Sequence, residues 1–161
     1  MCATLACFLR LRPPPTLTLL PSTTLFRSFD DVVPLIKALA TKRDITVHAP
    51  VVDADCGPIF VDFTRAKQVL LNFLSNAVKY NKEGGDVTMA NAVVDGHVRI
   101  SVTDTGEVIS EDKIVDLFKP FSRLGAEETA IEGTGIGLTI TKELIEHMNG
   151  RFGVESTVGQ G

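Results

Sequence analysis

The stretch DVTMANAVVDGHVRISVTD, residues 86–104, restricts the fold more than any other part of this chain. Val98, Ile100 and Val102 alternate with polar neighbours, the period-two pattern of a strand with one covered face. Asp95-Gly96 lies between the two halves, and Asp-Gly suits a tight turn whose central residues need positive φ. A β-hairpin is the expectation, and helices elsewhere are needed to cover it.

Those helices are legible. DDVVPLIKALATKR, residues 30–43, reads as a helix with Pro34 in its first turn, where proline is tolerated. LLNFLSNAVKYN, residues 70–81, belongs to a second helix, N-capped by Asp62 or Thr64. IGLTITKELIEHM, residues 136–148, is an amphipathic third helix stopped by Asn149-Gly150. SEDKIVDLF, residues 110–118, makes a short helix. ITVHAPV (45–51), PIFVD (58–62) and RFGVEST (151–157) read as strands, and residues 122–135 as a mobile, glycine-containing loop. The expected fold class is an α/β (α+β) two-layer sandwich, with a mixed, largely antiparallel sheet and helices on one face.

Residues 1–28 stand apart. RPPPTLTLLPSTTLFRS is rich in Pro, Thr and Ser, has no usable period, and resembles translated adapter sequence. A loosely ordered or non-native leader, dispensable for folding, is expected there, followed by one domain over 29–161. Arg10 and Arg12 follow the first apolar run instead of preceding it, which excludes a signal sequence.

Bulk properties narrow the function. With 161 residues and 44% hydrophobic content the chain can bury a core. A net charge of −4 argues against nucleic acid as a partner. Three cysteines with no CxxC fit a reducing, cytoplasmic setting, and His48, His97 and His147 lack metal-ligand spacing. No apolar run reaches the roughly 18 residues of a membrane helix, so no membrane contact is expected of this segment.

Within residues 70–81, Asn72, Asn76, Lys79 and Tyr80 fall in roughly one 100° arc, opposite most of the leucines. Each mid-helix Asn costs roughly half a kcal/mol against Ala. The stripe is either a solvated face or a ligand wall. DTGEVIS, residues 104–110, is either turn chemistry or a carboxylate placed to accept from an exocyclic amine. Phe118 and Phe121 read as core aromatics or loop anchors. GTGIGL, residues 133–138, is either a flexible loop with a glycine cap or an anion site at a helix N-terminus. It is neither a dinucleotide fingerprint nor a P-loop.

The order Asn-xxx-Asn-Ala-x-Lys-Tyr, Asp-x-Gly, a Phe pair, then Gly-x-Gly-x-Gly-Leu resembles the catalytic ATP-binding domain of sensor histidine kinases. That family shares its fold with gyrase-type topoisomerases, a heat-shock chaperone and mismatch-repair ATPases. The resemblance covers roughly residues 29–161. It implies that Asn72 and Asn76 face the phosphates and Mg²⁺ of ATP, with Asn76 as metal ligand. It implies that Lys79 offsets phosphate charge, Tyr80 lies against adenine, Asp104 reads the adenine amine and Gly106 permits close approach. Ile109 and Ile136 join the nucleotide-binding set, and Arg123 is available to phosphate from the lid loop. Gly133, Thr134, Gly135 and Gly137 present N–H groups, with Leu138 packed beneath. Asn72 stands where hydrolysing relatives carry a Glu base, which implies transfer of the phosphoryl group and not hydrolysis.

The implied partners are a dimerisation and phosphoacceptor domain of the same kinase and a response-regulator receiver domain. No His here matches the acceptor motif, so the chain reads as a fragment, truncated at its C-terminal end. Val108 stands where the family has a second motif glycine. That leaves a degenerate nucleotide-binding or regulatory module as the alternative, and a serine-phosphorylating kinase of the same fold as a third reading.

Overall fold

A computed structural model describes residues 2–10, 23–51, 53, 56, 61–106, 109–110, 114–119 and 135–157. The elements within these run β1 (Cys2–Arg10), α1 (Thr23–Thr41), β2 (Thr46–Val47), α2 (Phe63–Lys79), β3 (Asp86–Val94), β4 (His97–Asp104), a 3-10 turn (Val115–Phe118), α3 (Gly137–His147) and β5 (Arg151–Thr157). The sheet order is β2-β3-β4-β1-β5. Only β2–β3 is parallel; the other pairings are antiparallel, as the sequence leads one to expect.

The hairpin forms in the expected register, from Val87 opposite Asp104 to Val94 opposite His97. Asp95 and Gly96 take φ of 49° and 71°, the left-handed pair that a two-residue turn between twisted strands demands. Val87, Met89, Val98, Ile100 and Val102 are buried on one face. Against that face lie Val32, Ile36 and Ala40 of α1, Val69, Phe73 and Leu74 of α2, and Ile145 of α3. Phe73 is fully buried, and its ring centroid lies 5.5 Å from that of Phe152 in β5.

The N-terminal segment corrects an expectation. Cys2–Arg10 is not loosely ordered; it is a nine-residue strand lying between β4 and β5 and paired with both. Leu5, Cys7 and Leu9 send period-two side chains into the core. The alternation is easy to miss because Ala6, on the opposite face, is also buried, and because a proline-rich stretch follows. Residues 11–22 lie outside the described set.

Three element boundaries also move. α1 begins at Thr23, so Pro34 is an interior residue and not a first-turn one. Without an N–H, Pro34 cannot make its i→i−4 helical bond, while the Val32, Ile36 and Ala40 stripe keeps the helix on the core. The strand expected over residues 45–51 shrinks to Thr46–Val47, extended by the His48 N–H to Val87 oxygen bond and an isolated Val51–Ala90 bridge. The helix expected over 110–118 is a 3-10 turn at Val115–Phe118, with residues 111–113 outside the described set. Of the strand expected over 58–62, residues 58–60 lie outside the described set; Val61 and Asp62 are not in a strand, and Asp62 is the N-cap, accepting from the Arg65 N–H at 3.1 Å. Among the described residues, no helix is long and apolar enough to cross a membrane.

Candidate functional site

α2 is the spine of the site. Its buried stripe, Ala66, Val69, Leu70, Phe73, Leu74, Ala77 and Val78, fixes the helix on the sheet. The polar stripe must then face away from the sheet, toward β4's end and α3. At the C-terminus of α2 the Arg43 guanidinium donates to the carbonyls of Val78, Lys79 and Asn81. These carbonyls have no helical partner, and a cation there also meets the negative end of the helix dipole. Lys79 places its ammonium 5.4 Å from the Tyr80 ring centroid, and Tyr80 is the exposed member of the pair.

Asn81 follows and is buried. Its Nδ2 donates to the Asp86 carbonyl at 3.0 Å, and its Oδ1 accepts from the Lys82 N–H at 3.0 Å and the Thr105 hydroxyl at 3.1 Å. Thr105 Oγ1 accepts in turn from the Asp86 N–H at 2.9 Å. This network ties the end of α2 to the start of β3 and the end of β4.

Asp104, the last residue of β4, is 7% exposed, and its Oδ1 accepts the Gly106 N–H at 2.8 Å. Burial pushes its carboxyl up to about 6, partly opposed by that Gly106 hydrogen bond. A Cβ at Gly106 would lie 2.5 Å from the Tyr80 carbonyl oxygen and 2.8 Å from Asp104 Oδ1. The turn after β4 therefore seats directly on the end of α2, and only glycine fits. Ile109, three residues on, donates its N–H to the Ser156 hydroxyl at 3.0 Å, holding the segment to β5.

Two turns nearer its N-terminus, α2 meets α3. Asn72 Nδ2 donates to Thr141 Oγ1 at 2.6 Å, and a Cβ at Gly137 would lie 2.6 Å from Asn72 Oδ1. Gly135 has φ of 70°, and Ile136 caps α3 with no side-chain hydrogen bond. Among the described residues no side chain caps the first turn of α3, the arrangement that favours an anion. Asn76, one turn after Asn72, is half-buried and makes no side-chain hydrogen bond among the described residues. Leu138 packs partly buried against the core.

The fold thus brings Asn72, Asn76, Lys79, Tyr80, Asp104 and Gly106 along one helix, with Gly137 at its middle. Arg123, Gly133, Thr134 and Val108 lie outside the described residues, as does the loop over 122–134. A cavity of about 350 Å³ lies between α1, α2 and α3, against the α2–α3 contact, lined by Leu35, Leu39, Leu71, Asn72, Gly137 and Thr141 among others. Asn76, Tyr80 and Asp104 do not line it, so it is not the site at the end of β4. Sequence reasoning passed over Arg43, Asn81, Thr105 and Thr141. Asn81 and Thr105 directly adjoin motif residues, and that adjacency was their only signal.

A family model described as histidine kinase-, DNA gyrase B-, and HSP90-like ATPase matches residues 61–161. The chain belongs to this family. The virulence sensor protein BvgS of Bordetella bronchiseptica is 44% identical over 108 residues, covering 64% of this chain and 9% of that protein. The adaptive-response sensory kinase SasA of Synechococcus elongatus is 38% identical over 111 residues, covering 68% of this chain and 28% of that protein. The chain therefore spans a small part of these relatives. Among solved structures, full-length ShkA in complex with AMPPNP aligns with a TM-score of 0.67 at 31% identity, over 83% of this chain and 27% of that one. The catalytic domain of histidine kinase ThkA aligns with a TM-score of 0.67 at 27% identity, over 86% of this chain and 93% of that one. Another ThkA structure, in complex with response regulator protein TrrA, aligns with a TM-score of 0.59 at 27% identity.

Proposed function

We propose that this chain is the ATP-binding part of a protein-histidine kinase, holding Mg-ATP so that its γ-phosphoryl passes to a histidine on a separate helical hairpin. The observation that carries this reading is the buried Asp104 carboxylate beside Gly106, seated on the end of α2 one turn from Asn76. A buried carboxylate with one backbone donor keeps acceptor capacity for another, and the exocyclic amine of adenine is such a donor. Tyr80 offers a ring to the base, and Lys79 a positive charge to the phosphates. Gly135, Ile136, Gly137 and Leu138 lead into the start of α3, where N–H groups and the helix dipole favour phosphate.

The donor set also fits Mg²⁺. The Asn76 amide oxygen is a hard ligand of the kind Mg²⁺ takes beside phosphate oxygens and waters, and the ion would neutralise phosphate charge there. Asn72 cannot accept a proton at neutral pH. Phosphoryl transfer depends on positioning and charge stabilisation, so a neutral imidazole acceptor needs no protein base. The names of the relatives support a two-component setting. The hairpin and a response-regulator receiver domain are the proposed partners, and the cytoplasm the proposed compartment.

A fluorescent ATP analogue titrated with and without Mg²⁺ tests this. Asn76→Ala is expected to abolish the Mg²⁺ dependence of binding. Equal affinity in both conditions for the unaltered chain would remove the metal assignment. A second reading, a regulatory module without phosphotransfer, is favoured by Val108 in place of a motif glycine. Val108→Gly is expected to raise ATP affinity roughly tenfold if the valine strains the adenine turn. No change would show that the valine is accommodated.

A further inference from the structure

We propose that Thr141 is a positioning residue: through Asn72 it sets where the phosphate-facing start of α3 stands relative to α2. The inference rests on the ATP-binding reading above and concerns how that site is held.

The geometry is a wedge. The Asn72 amide enters between two successive turns of α3, with Oδ1 against the backbone of Gly137 and Nδ2 on the Thr141 hydroxyl at 2.6 Å. Gly137 and Thr141 are four residues apart, so they stack on one face of the helix. Thr141 is 2% exposed. Without that acceptor the half-buried Asn72 amide would lose its one side-chain partner among the described residues and turn to the cavity that Asn72 and Thr141 both line. A methyl group at Gly137 would meet Asn72 Oδ1 at 2.6 Å, so the amide would have to shift to admit it.

The two constraints act in different directions. Contact at Gly137 limits how close α3 can come to α2. The hydrogen bond to Thr141 keeps it from drawing away. Together they fix the level of Gly137 and Leu138, the residues that carry the first free N–H groups of α3. The two asparagines then have separate tasks. Asn72 spends its amide on α3, while Asn76, one turn along, has no side-chain hydrogen bond among the described residues and is open to a ligand. This also accounts for an amide at position 72 without invoking contact with the nucleotide. It joins a hydroxyl to a tight backbone approach, which no aliphatic side chain could do.

The test separates positioning from stability. Thr141→Val keeps the shape and removes the acceptor; Thr141→Ser keeps the acceptor. Affinities for Mg-ATP and for adenosine are measured on the full chain with each variant. Thr141→Val is expected to weaken Mg-ATP about tenfold while adenosine affinity stays unchanged, and Thr141→Ser to restore Mg-ATP binding. Parallel losses for ATP and adenosine, no loss at all, or failure of Thr141→Ser to rescue would overturn the role of Thr141. A Thr141→Val chain that does not melt cooperatively is replaced by Asn72→Ala, for which the same ATP-selective loss is expected. An unaltered chain that binds adenosine as tightly as Mg-ATP would instead overturn the nucleotide reading itself.

Discussion

Burial raises the Asp104 carboxyl from its ordinary 3.8 to about 6, with the Gly106 N–H pulling the other way. Between those values the folded chain holds a proton that the unfolded chain has released. Stability from this group is therefore present below 3.8 and lost as pH rises through about 6. The cost above that range is of order 2–3 kcal/mol. Asp104→Asn removes it and keeps an oxygen for the Gly106 N–H. The variant is expected to melt higher than the unaltered chain well above pH 6, by roughly 4–10 °C for a chain of this length, and to match it well below 3.8. ATP affinity should move the opposite way, because the Asn that accepts from Gly106 turns its NH₂ toward the adenine amine. Thermal melts across pH, paired with calorimetry, check both signs. A variant that melts lower at every pH would show that the carboxylate is stabilising where it lies. The carboxylate itself was legible in the sequence as an Asp-x-Gly ending a strand; its burial was not, since that depends on α2 arriving from elsewhere.

The end of α2 shows what an element owes to distant chain. Arg43 donates to three carbonyls there, from a turn that follows α1. Hydrogen bonds from a charged donor are worth about 1.5–3 kcal/mol each at best, and they share one side chain. Arg43→Met keeps much of the stem and removes the donors. Its Tm is expected to fall by roughly 5–10 °C, and ATP affinity to fall with it, because Tyr80 and Asn81 carry the seat for Gly106. An unchanged melt would show that solvent caps the helix as well as Arg43 does. Local pattern could reveal α2, its Asp62 cap and the Asn149 stop of α3, where the Gly150 N–H bonds the Ile145 carbonyl at 2.9 Å. It could not reveal Arg43, which lies 35 residues from Val78 in sequence and is brought there by the packing of α1 on α2.

Across the whole molecule, β1 decides whether there is one sheet or two pieces. Deleting residues 1–10 leaves β5 with no strand beside it and strips Leu5, Cys7 and Leu9 from the core. Burial of such side chains contributes about 1.5–3 kcal/mol each, so the loss rivals the whole stability of a domain. The deleted chain is expected to lose its cooperative thermal transition, followed by circular dichroism; a transition within a few degrees of the full chain's would show that β1 is dispensable. The sequence by itself determined the hairpin, the three helices, the last strand, the two-layer fold class and the family. Each of these is written in residues close together in the chain: an Asp-Gly turn, a period of two or 3.6, a cap, a spaced motif. Only the tertiary structure decided that Cys2–Arg10 is an inner strand, that β2 is two residues long, and that Asn72 turns to Thr141 while Asp104 is buried. Those outcomes depend on which surfaces meet. A strand exists where a neighbour pairs with it, and a carboxyl is raised only where another element shuts out water.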